Sequence, residues 1–144
     1  MDHVAIMRKS WGLTQKILKG KKKIESRWYK SKYRPWDNIK VGDIVYFKDS
    51  GEPVSIRAKV KKVLQFSSLT PGKVQSILKK YGRDDGINEN EIPTYYKMFK
   101  NKNYCLLIFL KDVQKIKPFE IDKKGFGAMA AWITVGNINS IKKF

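Results

Sequence analysis

A chain of 144 residues is about the size of one typical domain and has little room for a second sizeable core. Hydrophobic residues make up 42% and aromatic residues 12%, enough for a packed interior, which excludes a disordered polyelectrolyte. The 31 basic side chains against 13 acidic ones give +18, a field that attracts polyanions, nucleic acid first and an anionic membrane surface second.

The excess is uneven. Residues 1–40 carry 12 basic and 3 acidic side chains, whereas Asp84, Asp85, Glu89 and Glu91 form an acidic stretch farther on. That asymmetry predicts a nucleic-acid face drawn largely from the N-terminal part. One cysteine excludes an internal disulfide and fits a reducing compartment; in "YCLLIFL", Cys105 reads as a buried structural thiol, not a nucleophile. With His3 the sole histidine, no ordinary zinc site can be assembled, and the reading carries no metal and no cofactor. No apolar run approaches the ~18 residues of a membrane span, and the first residues lack the apolar stretch of a signal peptide. The expectation is a soluble, cytoplasmic, monomeric protein with no membrane partner.

In chain order, "HVAIM" (3–7) predicts a buried first strand. "SWGLTQKILKG" predicts a short helix with Ser10 as its cap, Leu13, Ile17 and Leu18 on its apolar face, and Gly20 at the C′ position. "KIESRWY" alternates, with Ile24, Ser26 and Trp28 on one side and Glu25 and Arg27 on the other. The loop "KSKYRPWDNIKVGD" leads to a strand at "IVYF", and "DSGEP" is a turn. Ile56, Ala58 and Val60 then alternate with Arg57, Lys59 and Lys61, a half-buried strand with a cationic outer row. "TPGKVQSILKKYG" is a helix capped by Thr70, with Pro71 at N1 and a stripe of Val74, Ile77, Leu78 and Tyr81. Ile92, Tyr95, Tyr96 and Phe99 repeat that spacing in a second helix; "RDDGINENE" between them is an interhelix loop that lacks calcium-ligand spacing. "CLLIFL" is a central strand, and "GFGAMAAWITV" onward gives a glycine-rich loop, a strand and a last helical turn. "KKGFGAM" is too poor in ordered glycines for a phosphate loop and reads as a tight turn, with a cleft rim as its alternative. There is no internal repeat. The fold class is α+β, one domain over residues 1–144 built on a small sheet or barrel.

Glu25 and Arg27 share a strand face and can pair, while Lys22 sits at the helix-to-strand junction. A lysine, a carboxylate and a guanidinium converging there suit a phosphate or a base edge. On spacing alone an ordinary solvated Glu–Arg ladder is the better reading.

The stretch "GKKKIESR" reads G-x-K-x-x-E-x-R through Gly20, Lys22, Glu25 and Arg27, and it resembles the signature of the ASCH domain, a branch of the PUA-like superfamily. The resemblance covers about residues 3–66, including "KVGDIVYF", and is looser afterwards. It implies a PUA-like small mixed β-barrel or sheet with flanking short helices, a cleft lined by the motif, and binding of RNA or of a nucleotide or modified base. It selects Lys22 from the lysine run, so Lys22 is expected in the cleft, with Lys21 and Lys23 in solvent. Glu25 is expected to hold Lys22 charged, as a binder rather than a nucleophile. Some ASCH-like proteins look like small amidohydrolases on N4-acetylcytidine, with a lysine at the position of Lys22, a threonine where this chain has Glu25, and a later glutamate. Only the lysine carries over, and the later acid is sought among Glu52, Glu89, Glu91 and Glu120. Others resemble ribonucleases.

The candidate nucleic-acid-binding residues are therefore Ser10, Trp11, Lys21, Lys22, Glu25, Arg27, Arg57 and Lys59, and the candidate catalytic pair is Lys22 with Glu25. Trp28 and Trp132 are expected in the core; Trp11, then Trp36, are the candidates for stacking on a base. The leading function is a nucleic-acid-binding module, for RNA. The alternatives are a small enzyme on a modified nucleoside, a ribonuclease, and a protein-interaction module.

Overall fold

The alternation of Ile56, Ala58 and Val60 and the apolar run from Cys105 to Leu110 become the two longest strands, paired antiparallel. Around that ribbon the computed structural model, which describes residues 1–127 and 129–143, arranges β1 (Asp2–Met7), α1 (Leu13–Leu18), β2 (Ile24–Tyr29), β3 (Ile44–Asp49), β4 (Val54–Phe66), α2 (Pro71–Tyr81), α3 (Ile92–Phe99), β5 (Tyr104–Phe119) and β6 (Trp132–Val135). Single 3₁₀ turns stand at Lys9–Trp11, Glu89–Glu91 and Ile138–Ser140. The strands form one six-stranded sheet, β2-β5-β4-β3-β1-β6, curled into a half-barrel. β1 runs parallel to β3, and the other neighbours are antiparallel. This is the α+β arrangement of a small mixed sheet with short flanking helices that the sequence predicts.

Period-two alternation decides which residues enter the curl. Val45, Phe47, Ile56, Ala58, Leu106 and Ile108 line its inside, and α1 packs Ile17 onto them with Leu13 and Leu18. On the outer face α2 sets Ile77 against Ile24, Cys105 and Leu107. Its Val74 and Leu78 meet Ile87 and the apolar side of α3. Thr70 caps α2 as expected, its Oγ1 accepting from the Lys73 N–H at 3.2 Å. Burial also pushes the Cys105 thiol up, consistent with a structural cysteine.

Two elements depart from the sequence reading. Ser10 does not cap α1: it lies in the preceding 3₁₀ turn, and Gly12, in the left-handed region at φ 64°, occupies the N-cap position with no side-chain bond. The strand expected at "CLLIFL" runs on to Phe119, because pairing with β4 carries the charged residues of 111–117 along as an exposed ribbon. Three register shifts along that pair, between Val54 and Ile56, Arg57 and Lys59, and Val60 and Lys62, interrupt simple alternation and hide the strand from a period-two reading. Ala128, within the predicted glycine-rich loop, lies outside the described residues.

His3 ties β1 to β6 from inside the protein, with none of its surface exposed. Trp132 Nε1 can only donate, and at 3.1 Å it makes His3 Nδ1 an acceptor. The ring hydrogen is then on Nε2, donated to Asp43 Oδ2 at 2.9 Å. Burial holds the imidazole below its ordinary value, against the opposing pull of Asp43. A histidine kept neutral by folding contributes stability that is present above the unfolded value of about 6.5 and is lost as pH falls toward the folded one. Urea unfolding should therefore show stability declining from pH 7 to pH 5, above the window in which Asp43 itself titrates. His3→Gln should flatten that decline; an equal slope in the variant would contradict the assignment.

Candidate functional site

β2 is an edge strand of the sheet, paired only with β5 among the described residues, and its register fixes where the motif points. Glu25 lies opposite Ile108 and Arg27 opposite Leu106, both partners fully buried on the inner face. Ser26 and Trp28, opposite Leu107 and Cys105, face α2 and α3 instead. The strand thus drives a carboxylate and a guanidinium into an apolar interior, where they persist only if paired and hydrogen-bonded.

Lys22 is aimed inward by the turn that ends α1. Gly20 takes φ 76°, and the backbone N–H groups of Lys21 and Lys22 both donate to Lys16 O, at 2.9 and 3.0 Å. The next two, of Lys23 and Ile24, donate to Asp84 O at 2.6 and 2.9 Å and bind the start of β2 to the loop after α2. That loop supplies the acid absent from the motif. Asp85 is buried and accepts from Lys22 Nζ at Oδ1 (2.5 Å) and from Ser26 Oγ at Oδ2 (2.6 Å). Lys22 Nζ also donates to Asp85 O at 2.8 Å and lies 3.3 Å from Glu25 Oε1. Three acceptors surround the three hydrogens of one ammonium.

The loop must come close for this to happen. Gly86 has φ 80°, and a Cβ at that position would stand 3.1 Å from Lys22 Cβ, so glycine serves both the turn and the contact.

Glu25 links the buried lysine to the arginine, its Oε2 accepting from Arg27 Nη2 at 2.9 Å. Arg27 in turn reaches across from β2 to the opposite edge of the sheet. Its Nη2 approaches Met7 Sδ at 3.5 Å, its Nη1 donates to Ala131 O at 3.3 Å, and its guanidinium lies 5.1 Å from the centre of the Trp132 ring. The chain of contacts Asp85–Lys22–Glu25–Arg27–Trp132 thus spans the seam where the half-barrel's edges face each other. Within it, burial pulls the Lys22 pKa down, but Asp85 and then Glu25 outweigh that effect and leave it raised. Burial holds the Asp85 carboxyl above its ordinary range, with Lys22 and Ser26 pulling the other way. Lys22 is a held cation in this geometry, not a free amine.

The remaining candidates fall elsewhere. Lys21 and Lys23 are exposed, on the other side of the chain from Lys22. Arg57 and Lys59 alternate with the inward Ile56, Ala58 and Val60 of β4 and face out, so they do not converge with Arg27. Trp11 stands edge-on to Tyr95 of α3 at 6.1 Å and beneath the Arg8 guanidinium at 4.7 Å. Trp36 is buried against Tyr104, centroids 5.2 Å apart, which removes it as a stacking surface. Trp132 belongs to the core, as expected, and also bears Arg27. Trp28 is partly buried and stacks on Phe99 at 4.6 Å.

Asp85 is the residue the sequence reading missed. Of the glutamates considered for a later acid, Glu52 pairs with Lys9 and Glu91 closes a capping box on Asn88. The signal available was Asp85-Gly86 itself, a turn dipeptide between two strong helices. Among the described residues no three His, Cys, Asp or Glu side chains gather as a metal site requires, and no helix is long and apolar enough to cross a membrane.

No protein-family model matches the sequence, and no curated protein does. Solved structures do. The ASCH protein of Zymomonas mobilis superposes with a TM-score of 0.67 at 16% identity, covering 99% of this chain and 96% of that one. A mutant form of the same protein gives 0.68 at 16% identity, over 96% and 93%. A hypothetical protein, PH0355, gives 0.52 at 24% identity over 81% of this chain and all of that one. At these identities the likeness establishes the fold: a PUA-like ASCH architecture.

The energetic status of the ion chain is open to direct measurement. Asp85→Ala leaves Lys22 with Glu25 as its one nearby carboxylate and should cost about 3–5 kcal/mol in urea unfolding, as for other broken buried pairs. The double change Lys22→Met with Asp85→Leu removes both charges and should cost clearly less than the single one. A loss below about 1 kcal/mol for Asp85→Ala would show a solvated, weakly coupled pair.

Proposed function

We propose that this chain, which has the fold of ASCH domains, is a nucleic-acid-binding module that engages RNA, with Arg27 at the sheet seam as its anchor. The observation that supports this most is the distribution of charge. The acids of the site, Glu25 and Asp85, are consumed by Lys22 and Arg27, while the +18 of the chain is left to the surface. Lys21, Lys23, Lys59 and Arg57 form no ion pair among the described residues. A field of that kind favours polyphosphate over a neutral ligand.

Arg27 suits the anchoring role because its geometry is fixed before any ligand arrives. Glu25, Met7 and Ala131 take three of its five N–H donors, which leaves two for a phosphate or a base edge. Its side chain keeps 16% of its surface open to solvent. The Trp132 ring beneath the guanidinium restricts it further.

Turnover of a modified nucleoside is less well supported. A nucleophilic or basic Lys22 needs a free lone pair, yet its ammonium is enclosed by Asp85 and Glu25 and held charged. This supports the binding reading, in which a modified base is a ligand rather than a substrate. The same reading takes the protein as a monomer in a reducing cytoplasm, consistent with its one buried cysteine.

Fluorescence anisotropy with a single-stranded oligouridylate tests it. Affinity should fall with salt at a slope of roughly −0.7 per phosphate neutralised. Arg27→Lys keeps the charge but loses the planar fork, so it should weaken binding more than Lys143→Ala does. A slope near zero, or equal losses from the two variants, would contradict the proposal.

A further inference from the structure

A depression of about 1060 Å³ lies apart from the seam that holds Arg27. It lies on the outer side of the same two segments, 20–23 and 83–88, and neither Lys22, Glu25, Asp85 nor Arg27 lines it. We infer that this groove is a second nucleic-acid contact, a track for the phosphate backbone of single-stranded RNA, separate from the Arg27 seam; the inference rests on the nucleic-acid reading above.

The placement of charge carries it. Lys16, Lys21 and Lys23 come from the end of α1 and the turn after it, Lys79 from the last turn of α2, and Arg83 from the following loop. Two stretches of chain far apart in sequence, 16–23 and 79–83, therefore bring five cations to one hollow. Asp84 and Glu89 also reach it, which leaves a local excess of +3. Neither acid forms an ion pair among the described residues, and neither do Lys21, Lys23, Lys79 or Arg83. Lys16 alone is tethered, donating to Gly86 O at 2.9 Å. Like charges gathered in excess repel one another, and a polyanion lying in the hollow relieves that repulsion and releases its own counterions.

The backbone sorts the charges. Where Lys22 turns inward to Asp85, its neighbours Lys21 and Lys23 turn outward into the groove; where Asp85 turns inward, Arg83 lines the groove. Gly86 stands between them, bordering the depression on one side and leaving on the other no room for a side chain beside Lys22. The buried ion pair thus fixes the spacing of the outward cations. The floor is apolar, from Ile87, Ile92 and Pro93, and carries no aromatic ring on which a base could stack. Without stacking faces, the groove should follow backbone phosphates and be indifferent to sequence.

The test uses the full chain, a single-stranded oligouridylate and a salt series. The double variant Lys79→Ala with Arg83→Ala should lower affinity roughly 25-fold at 0.1 M salt and make the slope shallower by about 1.4, as for two lost phosphate contacts. The control is Lys115→Ala with Lys143→Ala, an equal charge removed from exposed positions outside the groove, and it should change affinity less than about 5-fold. Equal losses in the two doubles, in proteins with matching urea midpoints, overturn the groove while leaving RNA binding intact. Wild-type protein that binds no RNA at any salt overturns both this inference and the function it rests on. If the groove double loses binding to phosphatidylserine vesicles but not to RNA, the occupant is a membrane surface and the RNA track is refuted.

Discussion

A lysine ammonium enclosed by two carboxylates holds together the turn after α1, the start of β2 and the 83–88 loop. Lys22 is 3% exposed, and moving such a charge out of water costs several kcal/mol unless its hydrogen bonds are fully replaced. Asp85 and Glu25 replace them from different elements, a loop beyond α2 and the edge strand β2. Meeting that one requirement fixes the turn after α1, draws the 83–88 loop against it, and sets the start of β2. Glycine at 86 follows from the same closeness, because any side chain there would press on Lys22.

From that anchor the arrangement passes to the opposite edge of the sheet. Glu25 holds Arg27, Arg27 spans to Met7, Ala131 and Trp132, and the Trp132 indole N–H closes on His3 inside the protein. A half-barrel has two free edges, and here polar side chains rather than backbone ladders relate them. Such a seam can admit a ligand, since nothing in it requires continuous strand pairing. The charges that point inward are balanced and rigid; those that point outward, at Lys21, Lys23 and Arg83, are not balanced. One short run of sequence therefore serves two purposes according to which way each residue turns.

Much of this was legible in the residues themselves. Parity on "KIESRWY" placed Glu25 and Arg27 together on one face, though not which face turned inward, and the helix of Pro71–Tyr81 was explicit in its cap and apolar stripe. What escaped notice was long-range. Asp85 lies 63 positions from Lys22, in a stretch whose acids and Gly86 read as solvated loop, and no local period reports such a contact. Ser10 had the chemistry of a cap but not the backbone, because it lies in a 3₁₀ turn and α1 begins only after Gly12. The extension of β5 was obscured by bulges and by lysines on an exposed ribbon. Trp36 looked like a loop aromatic and proved to be buried against Tyr104, which a linear reading cannot place beside it.

The central claim is that Lys22 is a permanently charged, fully bonded cation that organises the site, and not a reactive amine. Side-chain ¹⁵N NMR of the Lys22 ammonium, followed across pH, addresses it most directly. The account predicts a slowly exchanging ammonium that stays protonated beyond the ordinary lysine value of about 10.4, with its signal perturbed by Asp85→Asn. An amine that titrates well below that value, or exchanges as freely as those of Lys21 and Lys23, would contradict it.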